Sequence, residues 1–140
     1  MLCDLPSVLA GASEFRRRAA APRCVPVEAD ILQSVPAGGD AYILKLVLHD
    51  CSDTQGIRVL RNCRRAVVSG GKVLVMEAVV KPSNQPDLAK WLELSMLASF
   101  TGRERTAEEF SKLYAMADLH LTRVIPAQYL TIIEGVVPRL

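Results

Sequence analysis

Five acidic or basic positions in this chain stand where chemistry can be done, and His49 is the first of them. It follows an apolar run, Ala41–Leu48 (AYILKLVL), so its imidazole emerges at a strand end, where it can titrate near neutrality and act as a proton acceptor. Glu77 lies inside another apolar run, Lys72–Val80 (KVLVMEAVV). An unpaired carboxylate is expensive to bury there, so Glu77 needs a partner, and a histidine would serve. Asp4 and Asp30 each follow a short apolar segment. A carboxylate in that place can accept hydrogen bonds from ribose hydroxyls. It can equally cap the helix that follows, and position alone leaves both readings open. Glu104 sits in Arg103-Glu104-Arg105, which on its own reads as surface charge, and spacing does not join it to His49.

These residues are carried by strands and helices that take turns. Leu2–Asp4 reads as the end of a strand, Pro6–Arg17 as a helix opened by proline, and Val25–Ala29 as a short strand whose Pro26 suits an edge. Ala41–Leu48 is the clearest strand. Ser52 and Asp53 then offer an N-cap, and Ile57, Leu60, Cys63, Arg64 and Val67 carry helical spacing up to Gly70-Gly71. The Gly70-Gly71-Lys72 triplet follows a helix and precedes a strand, the wrong order for a phosphate loop, so it is expected to be a helix C-cap.

Lys72–Val80 is the next strand, and Pro86–Phe100 a helix with Leu88, Trp91, Leu92, Ser95 and Met96 along one side. Thr106 and Glu109 form a capping box for a helix through Ala117. Leu119–Ile125 and Tyr129–Val137, separated by Pro126, read as a terminal hairpin. Such alternation followed by an antiparallel end implies an α/β fold: an open, mainly parallel sheet with helices on both faces and ligands bound beyond the carboxyl ends of its strands.

Composition narrows the functional classes. With 140 residues, half of them apolar, the chain is one domain with material for a core. The longest apolar run, interrupted by Lys45, falls well short of the ~20 residues of a membrane span, so no membrane association is expected. Asp4 and Pro6 interrupt any secretory start. The net charge of +2 and a lone basic cluster, Arg16-Arg17-Arg18, without interleaved aromatics, do not point to nucleic acid. Cys3, Cys24, Cys51 and Cys63 form no C-x-x-C pair and the two histidines lie far apart, so no metal site is expected. Reduced thiols fit the cytoplasm.

Several segments, in order, resemble the plant caffeate- and flavonoid-type O-methyltransferases and their bacterial and animal relatives. They are Leu2-Cys3-Asp4-Leu5-Pro6, Ser34-Val35-Pro36, Tyr42–Asp53 (YILKLVLHDCSD), Gly71–Glu77 (GKVLVME), Met96-Leu97 and Thr101–Thr106 (TGRERT), and together they cover nearly the whole chain. The resemblance implies a Rossmann-like class I methyltransferase sheet and S-adenosylmethionine as cofactor. It implies methyl transfer to a hydroxyl of a small, aromatic molecule with His49 as general base, oriented by Glu77 and Glu104. It further implies Asp4 as the ribose-binding acid, Asp30 on the adenosine side, Lys45 as another cofactor contact and Met96 lining the acceptor pocket.

The family's first strand and glycine-rich loop precede the segment matched by Asp4, so residues 1–140 are expected to be the C-terminal portion of a catalytic domain. The missing strand would lie between Leu2–Asp4 and Ala41–Leu48, leaving two unpaired edges through which the chain could self-associate. Cys51 stands where the family carries tryptophan, and Glu93 where aspartate is common. A second reading stands beside the enzyme: a truncated, non-catalytic remnant or interaction module.

Overall fold

A computed structural model describes residues 1–11, 23–99 and 102–138. Its elements are β1 (Leu2–Asp4), α1 (Pro6–Gly11), β2 (Pro26–Glu28), β3 (Gly39–Lys45), a 3-10 turn (Leu48–Asp50), α2 (Asp53–Ala66) and β4 (Val67–Glu77). There follow β5 (Val79–Val80), α3 (Leu88–Ser99), β6 (Arg105–Thr106), α4 (Ala107–Met116), β7 (His120–Pro126) and β8 (Thr131–Val136). The Arg16–Arg18 cluster and the C-terminal half of the expected first helix lie outside the described residues.

Period-two alternation along β4 turns Val73, Val75 and Glu77 to the core, while Lys72, Leu74 and Met76 stay half-buried on the other face. The sheet built around this strand runs β3-β4-β8-β7, with β3 and β4 parallel and the β4–β8 and β8–β7 pairs antiparallel. The closing hairpin is thus as expected. The single sheet is not: β1 and β2 pair in parallel as a separate sheet, and β5 and β6 form a third. Among the described residues no strand lies between β1 and β3.

On the core side, α2 buries Ile57, Val59, Leu60 and Cys63, and α4 buries Phe110, Leu113 and Tyr114 against the sheet. Thr106 and Glu109 form the expected capping box on α4, and Ser52, expected only as an N-cap, forms one with Gln55 on α2.

Two boundaries and one helix face depart from the sequence reading. β3 stops at Lys45 rather than Leu48, because Leu46 takes a φ of +52° and Val47 and Leu48 turn their N–H groups toward β4. Helix α2 ends at Ala66, so Gly70-Gly71 is not its cap. The pair lies inside β4 at an irregularity, where Gly39 is opposite Val67 but Ala41 is opposite Lys72. Gly70 has a φ of +80°, and a Cβ on Gly71 would lie 2.7 Å from the Asp40 carbonyl oxygen. Glycine is therefore required by a bulge and a close approach. The third departure is in α3, whose buried side is Ala89 and Met96 with half-buried Glu93 between them, while Trp91 is 68% exposed.

On β8, the buried Glu134 accepts hydrogen bonds from Lys72 of β4 and Arg123 of β7. The Arg123 and Lys72 contacts hold its carboxyl down at about 2, against an ordinary 4.5. A depressed carboxyl stabilises the fold above its unfolded pKa and loses that contribution as pH falls through the folded value. Glu134→Gln is expected to unfold at lower denaturant than the parent at pH 7, with the gap closing as pH falls from about 4.5 toward about 2.

Candidate active site

The first structural fact about the site is that His49 does not end a strand. It occupies the 3-10 turn, and the turn is held by Glu77 at the end of β4. Oε1 of Glu77 accepts from the N–H of Val47 at 2.9 Å and of Leu48 at 2.8 Å, and the side chain has no solvent exposure. The partner that the sequence demanded for Glu77 is thus mainly backbone. His49 stands one step further on, with Nδ1 4.0 Å from Glu77 Oε2. Burial pushes the Glu77 carboxyl above its ordinary pKa, against the Val47 N–H, the imidazole and the Leu48 N–H.

Glu104 arrives from the other side. The short β5–β6 pair sets Arg105 beside Val79, which delivers the residue before it to the turn. Glu104 Oε1 lies 3.2 Å from His49 Nδ1, and its N–H donates to Glu93 Oε2 on α3. The backbone at Gly102 passes so near that an added Cβ would overlap the His49 carbonyl. Only glycine permits that approach. Burial raises the Glu104 carboxyl too, opposed by the hydrogen bond to His49. Both acids lie on the Nδ1 side of the imidazole, Glu104 within hydrogen-bond reach and Glu77 beyond it. Asp50 Oδ2 is 3.7 Å from Nε2.

Arg105, to which no role attached in the sequence, is 1% exposed and ties the turn together. Its guanidinium donates to the carbonyls of Leu48 and Cys51, both at 2.7 Å, bracketing His49, and to Asp53 Oδ1 at 2.8 and 3.0 Å. Against the upward push of burial, the Arg105 and Arg103 hydrogen bonds hold the Asp53 carboxyl below its usual range. An acid between two arginines looks like surface, and no local pattern marks Arg105 as buried.

A cavity of about 580 Å³ opens between β1 and β3. It is lined by apolar groups such as Leu2, Val35 and Leu44 and by Asp4 and Asp30, and reaches Asp50 and Cys51 beside His49. Asp4 Oδ1 accepts from the N–H of Leu5 at 2.8 Å and Asp30 Oδ1 from that of Leu32 at 2.9 Å; Leu5 lies before α1 and a turn rather than a helix follows Asp30, so neither contact is the helix cap that position allowed. The structure therefore brings His49, Glu77 and Glu104 into one cluster and Asp4 and Asp30 onto one cavity. Lys45 is exposed and does not line that cavity. Met96 is buried on α3, one turn beyond Glu93 and on the same helical face, without lining the cavity either.

A half-open α/β sheet with acids at the ends of β1 and β2, and a buried histidine–carboxylate cluster past β3 and β4, defines a Rossmann-like class I methyltransferase fold. The profile of the O-methyltransferase domain matches residues 1–119, and the chain belongs to that family. It is 43% identical over 137 residues to the phenazine O-methyltransferase PhzM of Lysobacter antibioticus, covering 96% of this chain and 40% of the relative. It is 37% identical over 112 residues to the 2,7-dihydroxy-5-methyl-1-naphthoate 7-O-methyltransferase of Streptomyces carzinostaticus, covering 80% and 33%. The crystal structure of CalO1, a methyltransferase in calicheamicin biosynthesis in its SAH-bound form, matches with TM-score 0.89 and 38% identity over 98% of this chain and 41% of that one. The chain thus spans between a third and about two fifths of the length of these relatives.

Arg105→Met, which leaves two carbonyls and Asp53 without their donor, is expected to cost on the order of 2–4 kcal/mol in a denaturant titration. Arg105→Lys should recover only part, because an ammonium cannot reproduce the planar fork.

Proposed function

We propose that this chain is the C-terminal portion of the catalytic domain of an S-adenosylmethionine-dependent O-methyltransferase that methylates a hydroxyl of a small aromatic molecule, with His49 as general base. The observation that carries it is the His49 Nδ1 contact to Glu104 at 3.2 Å with Glu77 behind it, which turns Nε2 away from both acids and toward Asp50 at the cavity rim. The relatives named for phenazine and dihydroxynaphthoate acceptors support the aromatic class.

The cavity fits the cofactor: its volume suits a nucleoside-sized ligand, its walls are largely apolar, and Asp4 and Asp30 keep acceptor oxygens for ribose and adenosine donors. Bound S-adenosylmethionine supplies an electrophilic methyl group on a sulfonium. His49 Nε2 would take the acceptor hydroxyl proton, and the imidazolium so formed would be steadied at Nδ1 by the hydrogen bond to Glu104, with Glu77 4.0 Å behind. A phenol near pKa ~10 and a histidine near ~6.5 make complete prior proton transfer cost about 5 kcal/mol, so removal accompanies attack. Holding the reacting atoms in line contributes more, about 7–11 kcal/mol, and that is the task of the packed turn. In this reading Met96 lines the acceptor side, Lys45 at the exposed end of β3 stays off the cofactor cavity, and reduced thiols fit a cytoplasmic protein.

In the protein that carries this chain, His49→Ala is expected to lower kcat by ~10²–10⁴-fold while calorimetric binding of S-adenosylhomocysteine stays unchanged. Loss of cofactor binding in that variant would contradict the base role. Asp4→Ala, by contrast, should weaken S-adenosylhomocysteine about tenfold or more. A folded protein that binds no cofactor would instead favour an interaction module built on the free edges of β1 and β3.

A further inference from the structure

Sequence spacing offers no metal site, yet the fold gathers donors from three separate elements into one. His49, Glu77 and Glu104 each present a ligand atom, all within 4.8 Å of one another. Two of the carboxylate oxygens, Glu77 Oε2 and Glu104 Oε2, are buried with no hydrogen-bond partner among the described residues, on side chains 0% and 1% exposed. The Glu77 orphan is aimed at the imidazole, because its other oxygen is pinned by the N–H groups of Val47 and Leu48. Arg105 satisfies neither orphan, being committed to Leu48, Cys51 and Asp53. Buried acceptors in this state call for a proton or a cation.

We propose that His49, Glu77 and Glu104 form a site for one divalent transition-metal ion of the zinc class, and that the ion inhibits methyl transfer. A tetrahedral ion held at ~2.0–2.2 Å keeps its nitrogen and oxygen ligands about 3.3 Å apart. The Nδ1 separations of 3.2 Å to Glu104 and 4.0 Å to Glu77 need only a small closure to match. Two carboxylates cancel the charge of the ion, and the 19% exposed imidazole leaves a route of entry and a fourth position for water. One nitrogen and two oxygens suit a borderline ion; magnesium and calcium, which want six or more oxygens, are excluded.

The step balances as an exchange. A bond forms from the Nδ1 lone pair to the metal: a neutral ring passes its Nδ1 proton through solvent to Nε2, and an imidazolium releases the Nδ1 proton to solvent and keeps the one on Nε2. A neutral imidazole metallated at Nδ1 carries its proton on Nε2, where no lone pair is left for an acceptor hydroxyl. This consequence for turnover rests on the base role of His49; the binding does not.

The test is titration of the protein with Co²⁺, read by its visible d–d bands, and with Zn²⁺, read by calorimetry. One ion per chain is expected, with affinity falling more than about tenfold in Glu77→Gln and in Glu104→Gln and no response to Mg²⁺. As a readout that needs no variant, Zn²⁺ should shift the imidazole nitrogen signals of His49 in NMR and leave those of His120 in place. Zn²⁺ that binds the variants as tightly as the parent, or that moves His120 and not His49, would overturn the site, as would a parent that takes up no ion at millimolar concentration. Zn²⁺ bound at His49 with turnover unchanged would leave the metal site standing and sink the base role instead.

Discussion

A carboxylate shut away from water must be met by donors, and in this protein that requirement at Glu77 shapes everything around the site. Period-two pleating along β4 puts Glu77 on the same face as Val73 and Val75, so the strand that builds the core also buries an acid at its end. The donors come from Val47 and Leu48, whose N–H groups can reach it only if β3 breaks at Lys45 and turns through Leu46 in the left-handed region. That break creates the 3-10 turn, and the turn aims His49. The imidazole is therefore oriented by a backbone accommodation of a buried charge as much as by any direct contact.

The same turn is gripped a second time from outside. Arg105 reaches through the core to the carbonyls on either side of His49, while Glu104, its neighbour in sequence, reaches the imidazole itself. Arg105 opens β6 and Glu104 immediately precedes it, so one dipeptide provides both a clamp and a hydrogen-bond partner. Gly102 allows this segment to lie against the turn. The cluster is tight because three chain segments converge on a few ångströms, which also leaves two buried oxygens unsatisfied and opens the site to a cation.

The cavity between β1 and β3 follows from a different constraint. Among the described residues β1 and β2 pair only with each other, and β3 is the edge of the larger sheet, so the two sheets leave a space lined by their facing residues. Asp4 closes β1 and Asp30 lies two residues past β2, and both line that space while one oxygen of each accepts from a nearby backbone N–H. Helix capping, which position alone had allowed for both, is the role of neither.

How much of this was legible in the sequence can be told residue by residue. The helix starts at Ser52 and Thr106 were readable, since capping boxes are local chemistry between residues three apart. So were the parallel strands and the closing hairpin, because apolar runs and their order are sequence properties. The identity of His49, Glu77 and Glu104 as a set came from resemblance to a family, not from spacing. What tertiary structure alone decided was what depends on partners distant in the chain: where β3 stops, that Gly70-Gly71 serves a bulge rather than a cap, that Arg105 is buried and Trp91 is not. Local propensity acts over a few residues, whereas the 29-residue separation between Leu48 and Glu77 and the 57 residues between Leu48 and Arg105 are closed only by folding.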